Sequence, residues 1–360
     1  MSLIQIVFSI PRGIIIKLIN LTCIGVFMKR KYARCFLLLL SILYSGYSFS
    51  FEVGVGTHIS GFTGTPEQYI NLLKKYNITS FRTDYHWADV EKQKGVYTPA
   101  SHKLDELINL AVINNIKPIL ILDYGNPLYV NGKPTTDNER DAFARYAAWT
   151  VSHFKGKVDV FEIWNEWHLE KPRYLSQNQK SAQQYVSLVH SCYTAIKKVD
   201  PNVKVIAGSF NPTQKDEIIW QDKLFELGFL NYIDGVSIHT YHNTDSTFMP
   251  PQDNLSLIDA MQEKIIKIKG AALPVFITEI GISDYYKNKI PQADIGKFAS
   301  EYFMFSAKRN YIQGVWWYDF INDGIDKKNG EHNFGMLNRD LSEKDTASAI
   351  KQFSQRLRVK

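Results

Sequence analysis

Two glutamates stand where carboxyl chemistry could be done. Glu166 ends the run Phe161-Glu162-Ile163-Trp164-Asn165-Glu166, and Glu279 ends the run Val275-Phe276-Ile277-Thr278-Glu279. Both runs are short, β-branched and aromatic, so both read as strands. A pair of carboxyls facing each other across a cleft can divide one task. The protonated one expels a leaving oxygen, and the ionised one attacks the carbon that oxygen leaves. That is what breaking a glycosidic bond requires, and a separation of about 5–5.5 Å gives retention of configuration. Other polar and aromatic residues gather at the ends of neighbouring apolar runs: His58, Arg82, Asp123-Tyr124, His239, Tyr241 and Trp316-Trp317-Tyr318-Asp319.

Such residues must be carried by a repeating scaffold. From Phe51 the chain alternates strand-like runs at 52–57, 78–83, 118–122, 158–164, 203–207, 235–238, 275–278 and 314–317 with helical patterns. Thr65 with Gln68 and Thr136 with Glu139 have capping-box spacing, and Pro66 fits the first turn of a helix. Eight strand–helix units predict a parallel sheet closed into a (β/α)₈ barrel, one domain over 51–360, with its active site at the C-terminal strand ends. An open doubly wound sheet is the alternative. Its Gly-rich phosphate turn would follow the first strand, where Gly54-Val55-Gly56-Thr57-His58 lacks the third glycine.

The formal charge of +6 is carried by residues 1–50, where Arg12, Lys17, Lys29, Arg30, Lys31 and Arg34 meet no acidic residue. The body from Phe51 on is neutral, so the basic balance gives no case for a nucleic-acid partner. Lys29, Arg30, Lys31 and Arg34 precede an apolar run at 35–44 and the small residues Gly46, Ser48 and Ser50. Residues 28–50 therefore read as a signal peptide within a 1–50 leader, implying a periplasmic or secreted protein with no stable membrane span after its removal. Only Cys192 lies in the body, so no internal disulfide is available there.

The strand ends resemble a known group. Phe161-Glu162-Ile163-Trp164-Asn165-Glu166 resembles the strand-four motif of glycoside hydrolase clan A, and Phe276-Ile277-Thr278-Glu279-Ile280-Gly281 its strand-seven motif. Within the clan the chain is most similar to family 39 and the PslG-type exopolysaccharide hydrolases. Trp317-Tyr318-Asp319, Glu331-His332-Asn333-Phe334-Gly335 and Tyr124-Gly125-Asn126-Pro127-Leu128-Tyr129 carry that likeness. One departure is Asp345-Thr346-Ala347 opening the last helix, where the family pattern has Lys-Pro-Ala.

The resemblance implies that Glu166 is the acid/base and Glu279 the nucleophile. It implies that Asn165 bonds the sugar 2-hydroxyl, that Arg82 holds Glu279 ionised, that Tyr241 donates to Glu279, and that His239 orients the carboxyls. Trp317 is the expected platform beneath the sugar, since Trp316 has the opposite strand parity. His58 and Tyr124 are expected sugar contacts. The function implied is retaining, endo-acting hydrolysis of a β-linked exopolysaccharide or envelope polysaccharide, with no cofactor or metal. An exo-acting β-glycosidase such as a β-xylosidase and a non-catalytic carbohydrate-binding barrel are the alternatives. A metal-dependent hydrolase would need His-x-His after the first strand, where only His58 stands.

Overall fold

Eight parallel strands close on themselves in sequence order. They are β1 Glu52–Gly56, β2 Ser80–Asp84, β3 Lys117–Leu122, β4 Val160–Ile163, β5 Lys204–Phe210, β6 Gly235–His239, β7 Val275–Ile280 and β8 Ile312–Trp317. Helices lie between the strands and follow the last, so the protein is the expected (β/α)₈ barrel and not an open sheet. The computed structural model describes residues 51–171 and 173–358, within the unit Ser50–Lys360; the leader-like segment lies outside the described residues. No helix among the described residues is long and apolar enough to cross a membrane.

Local sequence explains the helix starts. Thr65 accepts from the Gln68 amide while the Gln68 side chain accepts from Thr65 N, and Thr136 and Glu139 do the same. Two donors at each helix start are thereby satisfied. The last helix, Asp345–Arg358, opens at Asp345 despite the departure there from the family pattern.

The barrel interior is filled in layers. Strand side chains alternate between faces, so residues two apart stack along one wall. Ile119, Ile206, Phe276 and Trp316 form an apolar lower layer. Two residues further along the strands the inward set turns polar: Arg82, Glu162 and Thr278, all buried. The Trp316 indole N–H donates to Ser80 Oγ at 3.0 Å, and Ser80 is two residues before Arg82. Trp316 fits only because β1 offers no side chain beside it. A Cβ on Gly54 would lie 2.3 Å from Trp316 Cδ1.

Overpacking a filled core typically costs about 1–3 kcal/mol. Gly54→Ala is therefore expected to lower unfolding free energy by that amount in a denaturant titration. Adding Trp316→Leu should recover part of the loss. A Gly54→Ala protein as stable as the parent would mean that Trp316 does not pack on β1.

Candidate active site

At the C-terminal mouth one guanidinium organises three elements. Arg82, on β2 and 4% exposed, donates from Nε to Glu162 Oε2 at 2.6 Å and from Nη1 to Glu279 Oε1 at 2.7 Å. Its Nη2 donates to Asn165 Oδ1 at 2.9 Å. A guanidinium has no acceptor, so this bond fixes the Asn165 amide with oxygen toward Arg82. The Asn165 amide nitrogen then donates to Tyr124 Oη at 3.1 Å. Glu162 is fully buried and also accepts from Ser209 Oγ at 2.8 Å and Thr278 Oγ1 at 3.4 Å.

Backbone irregularities aim the remaining groups. The pairing of β7 with both neighbours shifts near Thr278 and Glu279, so Thr278 bonds Glu162 inside the barrel while Glu279 also turns into the mouth. Bulges commonly re-aim side chains in this way. β4 ends at Ile163, and the chain then passes through positive φ at Trp164 (65°) and at Glu166 (47°). Left-handed backbone at a non-glycine residue costs of order 1–3 kcal/mol and persists where the surroundings enforce it. Here Trp164 N is held by Leu122 O at 2.9 Å and Leu169 N by Glu166 O at 2.9 Å.

The two glutamates meet over His239. His239 Nδ1 lies 2.8 Å from Glu166 Oε1, and its Nε2 lies 3.6 Å from Glu279 Oε1. One Glu166 carboxylate oxygen is within 4.8 Å of one from Glu279. Tyr241 donates to Glu279 Oε2 at 2.8 Å. Burial pushes the Glu279 carboxyl up. The charges of His239 and Arg82 and the hydrogen bonds from Tyr241 and Arg82 outweigh it and hold the carboxyl below its usual value. Burial pulls His239 down, yet the two glutamates raise it.

A cavity of about 420 Å³ opens above this centre, lined by His58, Arg82, Asp84, Tyr124, Asn165, Glu166, Tyr241, Glu279, Tyr318, Glu331 and Phe334 among others. His58 Nδ1 lies 2.8 Å from Asp323 Oδ1 and 3.2 Å from Asp319 Oδ2. Burial would lower its pKa, but these two carboxylates raise it to about 11, so the imidazole stays cationic. The structure thus brings eight of the nine residues singled out in the sequence to one place.

Trp317 is the correction. It is fully buried, its ring 6.4 Å from Phe298 of the helix Gln292–Ser306, outside the cleft. Trp316 takes the inward position on β8, too deep to meet a ligand, and the next inward residue is Tyr318. Tyr318 is the aromatic side chain which that turn gives the cavity. Glu162 had no role assigned from sequence, although a charge inside a buried strand must find a partner.

Comparison with known proteins fits this geometry. The family model for cellulase (glycosyl hydrolase family 5) matches residues 45–320. The chain belongs to that family. It is a clan A glycoside hydrolase family, and the likeness extends to other members of the clan. A family 39 glycoside hydrolase from the gut symbiont Bacteroides cellulosilyticus WH2 is 25% identical, with a TM-score of 0.69 over 84% of this chain and 63% of its own. Xylanase B from Clostridium stercorarium F9 shares the fold at 19% identity and a TM-score of 0.61, covering 84% and 96%. Endo-1,4-beta-xylanase B of Neocallimastix patriciarum is 21% identical over 174 residues, which are 47% of this chain and 20% of that protein. The chain thus matches about a fifth of that curated relative.

Removing one partner of a buried ion pair typically costs about 3–5 kcal/mol. Arg82→Gln should destabilise the protein by that order at pH 7. The folded-state pKa of Glu279 is depressed, so its contribution is fully present above the unfolded value of about 4.3 and is lost as pH falls through the lower folded value. The gap between wild type and variant should therefore narrow in acid below about pH 4. Urea unfolding at pH 7 and pH 3.5 measures this. A variant as stable as wild type at pH 7 would remove the ion-pair account.

Proposed function

We propose that the protein is a retaining, endo-acting glycoside hydrolase that cleaves a β-linked exopolysaccharide or cell-envelope polysaccharide outside the cytoplasm. The observation that carries the reading is the spacing of Glu166 and Glu279. Carboxylate oxygens within 4.8 Å leave room for an anomeric carbon between them. They do not leave the 6.5–9.5 Å that an inverting pair needs for an interposed water.

Glu279 is the nucleophile, because Arg82, His239 and Tyr241 keep it ionised. Its carboxylate oxygen bonds to the anomeric carbon as the glycosidic C–O bond breaks. Glu166 gives its proton to the departing oxygen. Glu166, now a carboxylate, takes a proton from water, the water oxygen attacks the same carbon, and the ester to Glu279 breaks. Asn165, oriented by Arg82, has an amide hydrogen left for the sugar hydroxyl beside the reacting carbon. Tyr318 and Tyr124 offer aromatic surfaces to the ring, and the His58 imidazolium a donor.

The cleft supports internal cleavage. The central cavity shares Thr57, His58, Thr83 and Asp84 with one of about 160 Å³, and Glu166, Tyr241 and Asn243 with another of about 400 Å³. The reacting pair thus sits within a groove that continues to both sides, whereas an exo-acting enzyme needs a blocked end. The basic and apolar segment at 28–50 supports export.

The two glutamates are separable by chemistry. Glu279→Ala should lose turnover of every substrate. Glu166→Ala should lose about 10²–10⁴-fold on a polysaccharide. On an aryl glycoside, whose leaving group needs little protonation, it should still form the glycosyl-enzyme. Azide needs no base, so it should speed that variant and give a glycosyl azide of retained configuration. Azide rescue of Glu279→Ala in place of Glu166→Ala would reverse the assignment. Product sizing should show a range of oligosaccharides early in the reaction; a single small product would replace endo with exo action.

A further inference from the structure

We propose that Asp84, His86 and Asp123 form a binding site for a divalent metal ion, of the zinc or manganese type, on the wall of the cleft. Asp84 ends β2, His86 stands two residues on, and Asp123 follows β3, the neighbouring strand. One ligand atom from each lies within 4.8 Å of the others. His86 Nε2 is 3.8 Å from Asp123 Oδ1 and 4.0 Å from Asp84 Oδ2.

Asp123 is what calls for an occupant. It is fully buried, neither carboxylate oxygen has a hydrogen-bond donor, and its close neighbour is the Asp84 carboxylate. A buried, unpaired carboxylate costs several kcal/mol unless something neutralises it. The nearby cation, Arg82, directs its bonds to Glu162, Glu279 and Asn165. Asp84 is another carboxylate, so facing Asp123 it repels unless a proton or a cation lies between.

The spacing and the surroundings favour a metal ion. At zinc–nitrogen and zinc–oxygen bonds of about 2.0–2.2 Å, tetrahedral ligand atoms stand about 3.3–3.6 Å apart. The 3.8 and 4.0 Å spacings are a few tenths of an ångström wider, which a small side-chain rotation closes on an ion, and both are too long for direct hydrogen bonds. The other ring nitrogen, His86 Nδ1, faces Asp89 Oδ2 at 3.6 Å. A carboxylate behind the far nitrogen is the usual support of a metal-bound histidine, because it fixes the tautomer that leaves Nε2 free to coordinate. One imidazole and two carboxylates suit zinc or manganese better than calcium. Asp84, His86 and Asp89 all line the cavity of about 160 Å³, which gives the ion an entry path and leaves its remaining positions facing the cleft. The two-carboxylate hydrolysis requires no metal, so this ion would lie beside the reacting centre and not in it.

Calorimetric titration of the chelator-stripped full chain with zinc chloride, and separately with manganese chloride, tests the site. Wild type should bind an equivalent that Asp123→Asn and His86→Gln both lose or bind at least tenfold more weakly. His86 is partly exposed, so His86→Gln keeps the test valid should Asp123→Asn fail to fold. Glu166→Gln is the control, because Glu166, His239 and Glu279 are a second trio at similar spacing; that variant should keep the equivalent in question. No binding of either metal, or an equivalent that survives both His86→Gln and Asp123→Asn, would overturn the proposal. Asp123 would then be neutralised by a proton shared with Asp84.

Discussion

A positive charge has been placed inside the barrel, and the mouth of the barrel is arranged around it. Arg82 would be untenable there without partners, and its partners Glu162 and Glu279 would be equally untenable without it. At an effective dielectric near 20, unit charges at about 4 Å attract by roughly 4 kcal/mol, which desolvation largely offsets. The arrangement therefore contributes little net stability. What it provides is position: one planar guanidinium ties β2 to β4, to β7 and to Asn165 in a fork geometry that a lysine could not copy.

The same arrangement makes two chemically identical side chains unlike. Glu279 is enclosed and faces Arg82, His239 and Tyr241, which favour its ionised form. Glu166 rides on a left-handed turn beyond β4, is partly exposed, and touches His239 alone among these groups. Environments that separate two carboxyls are how one site supplies both an acid and a nucleophile, and the proposed mechanism rests on that asymmetry. The strained turn at Trp164 and Glu166 and the register shifts in β7 are the backbone cost of bringing both groups over one cavity.

Much of this was legible in the sequence because it follows from periodicity and chemistry. The strand–helix alternation gave the barrel, the Thr65 and Thr136 capping boxes formed as their spacing indicates, and the polar strand ends converged. Parity counted outward from an inward Trp316 selects Tyr318; taking the wrong tryptophan of the pair as facing in pointed to Trp317. The shifts that let Glu279 and Ser209 turn inward leave no mark in the residue types, since a bulge depends on neighbouring strands. Asp123 lies far along the chain from Asp84 and His86 and meets them only through the pairing of β2 with β3, so no local spacing announces the trio.

The central claim is that the carboxylate held by Arg82 is the one that bonds to sugar. It is tested most directly by trapping that bond. A 2-deoxy-2-fluoro glycoside with a good leaving group slows both steps but the second more, so the ester accumulates. Mass spectrometry of the digested adduct should place one added fluorosugar on the peptide carrying Glu279 and none on the peptide carrying Glu166. A sugar found on Glu166, or steady release of inverted product with no adduct on either peptide, would contradict the account.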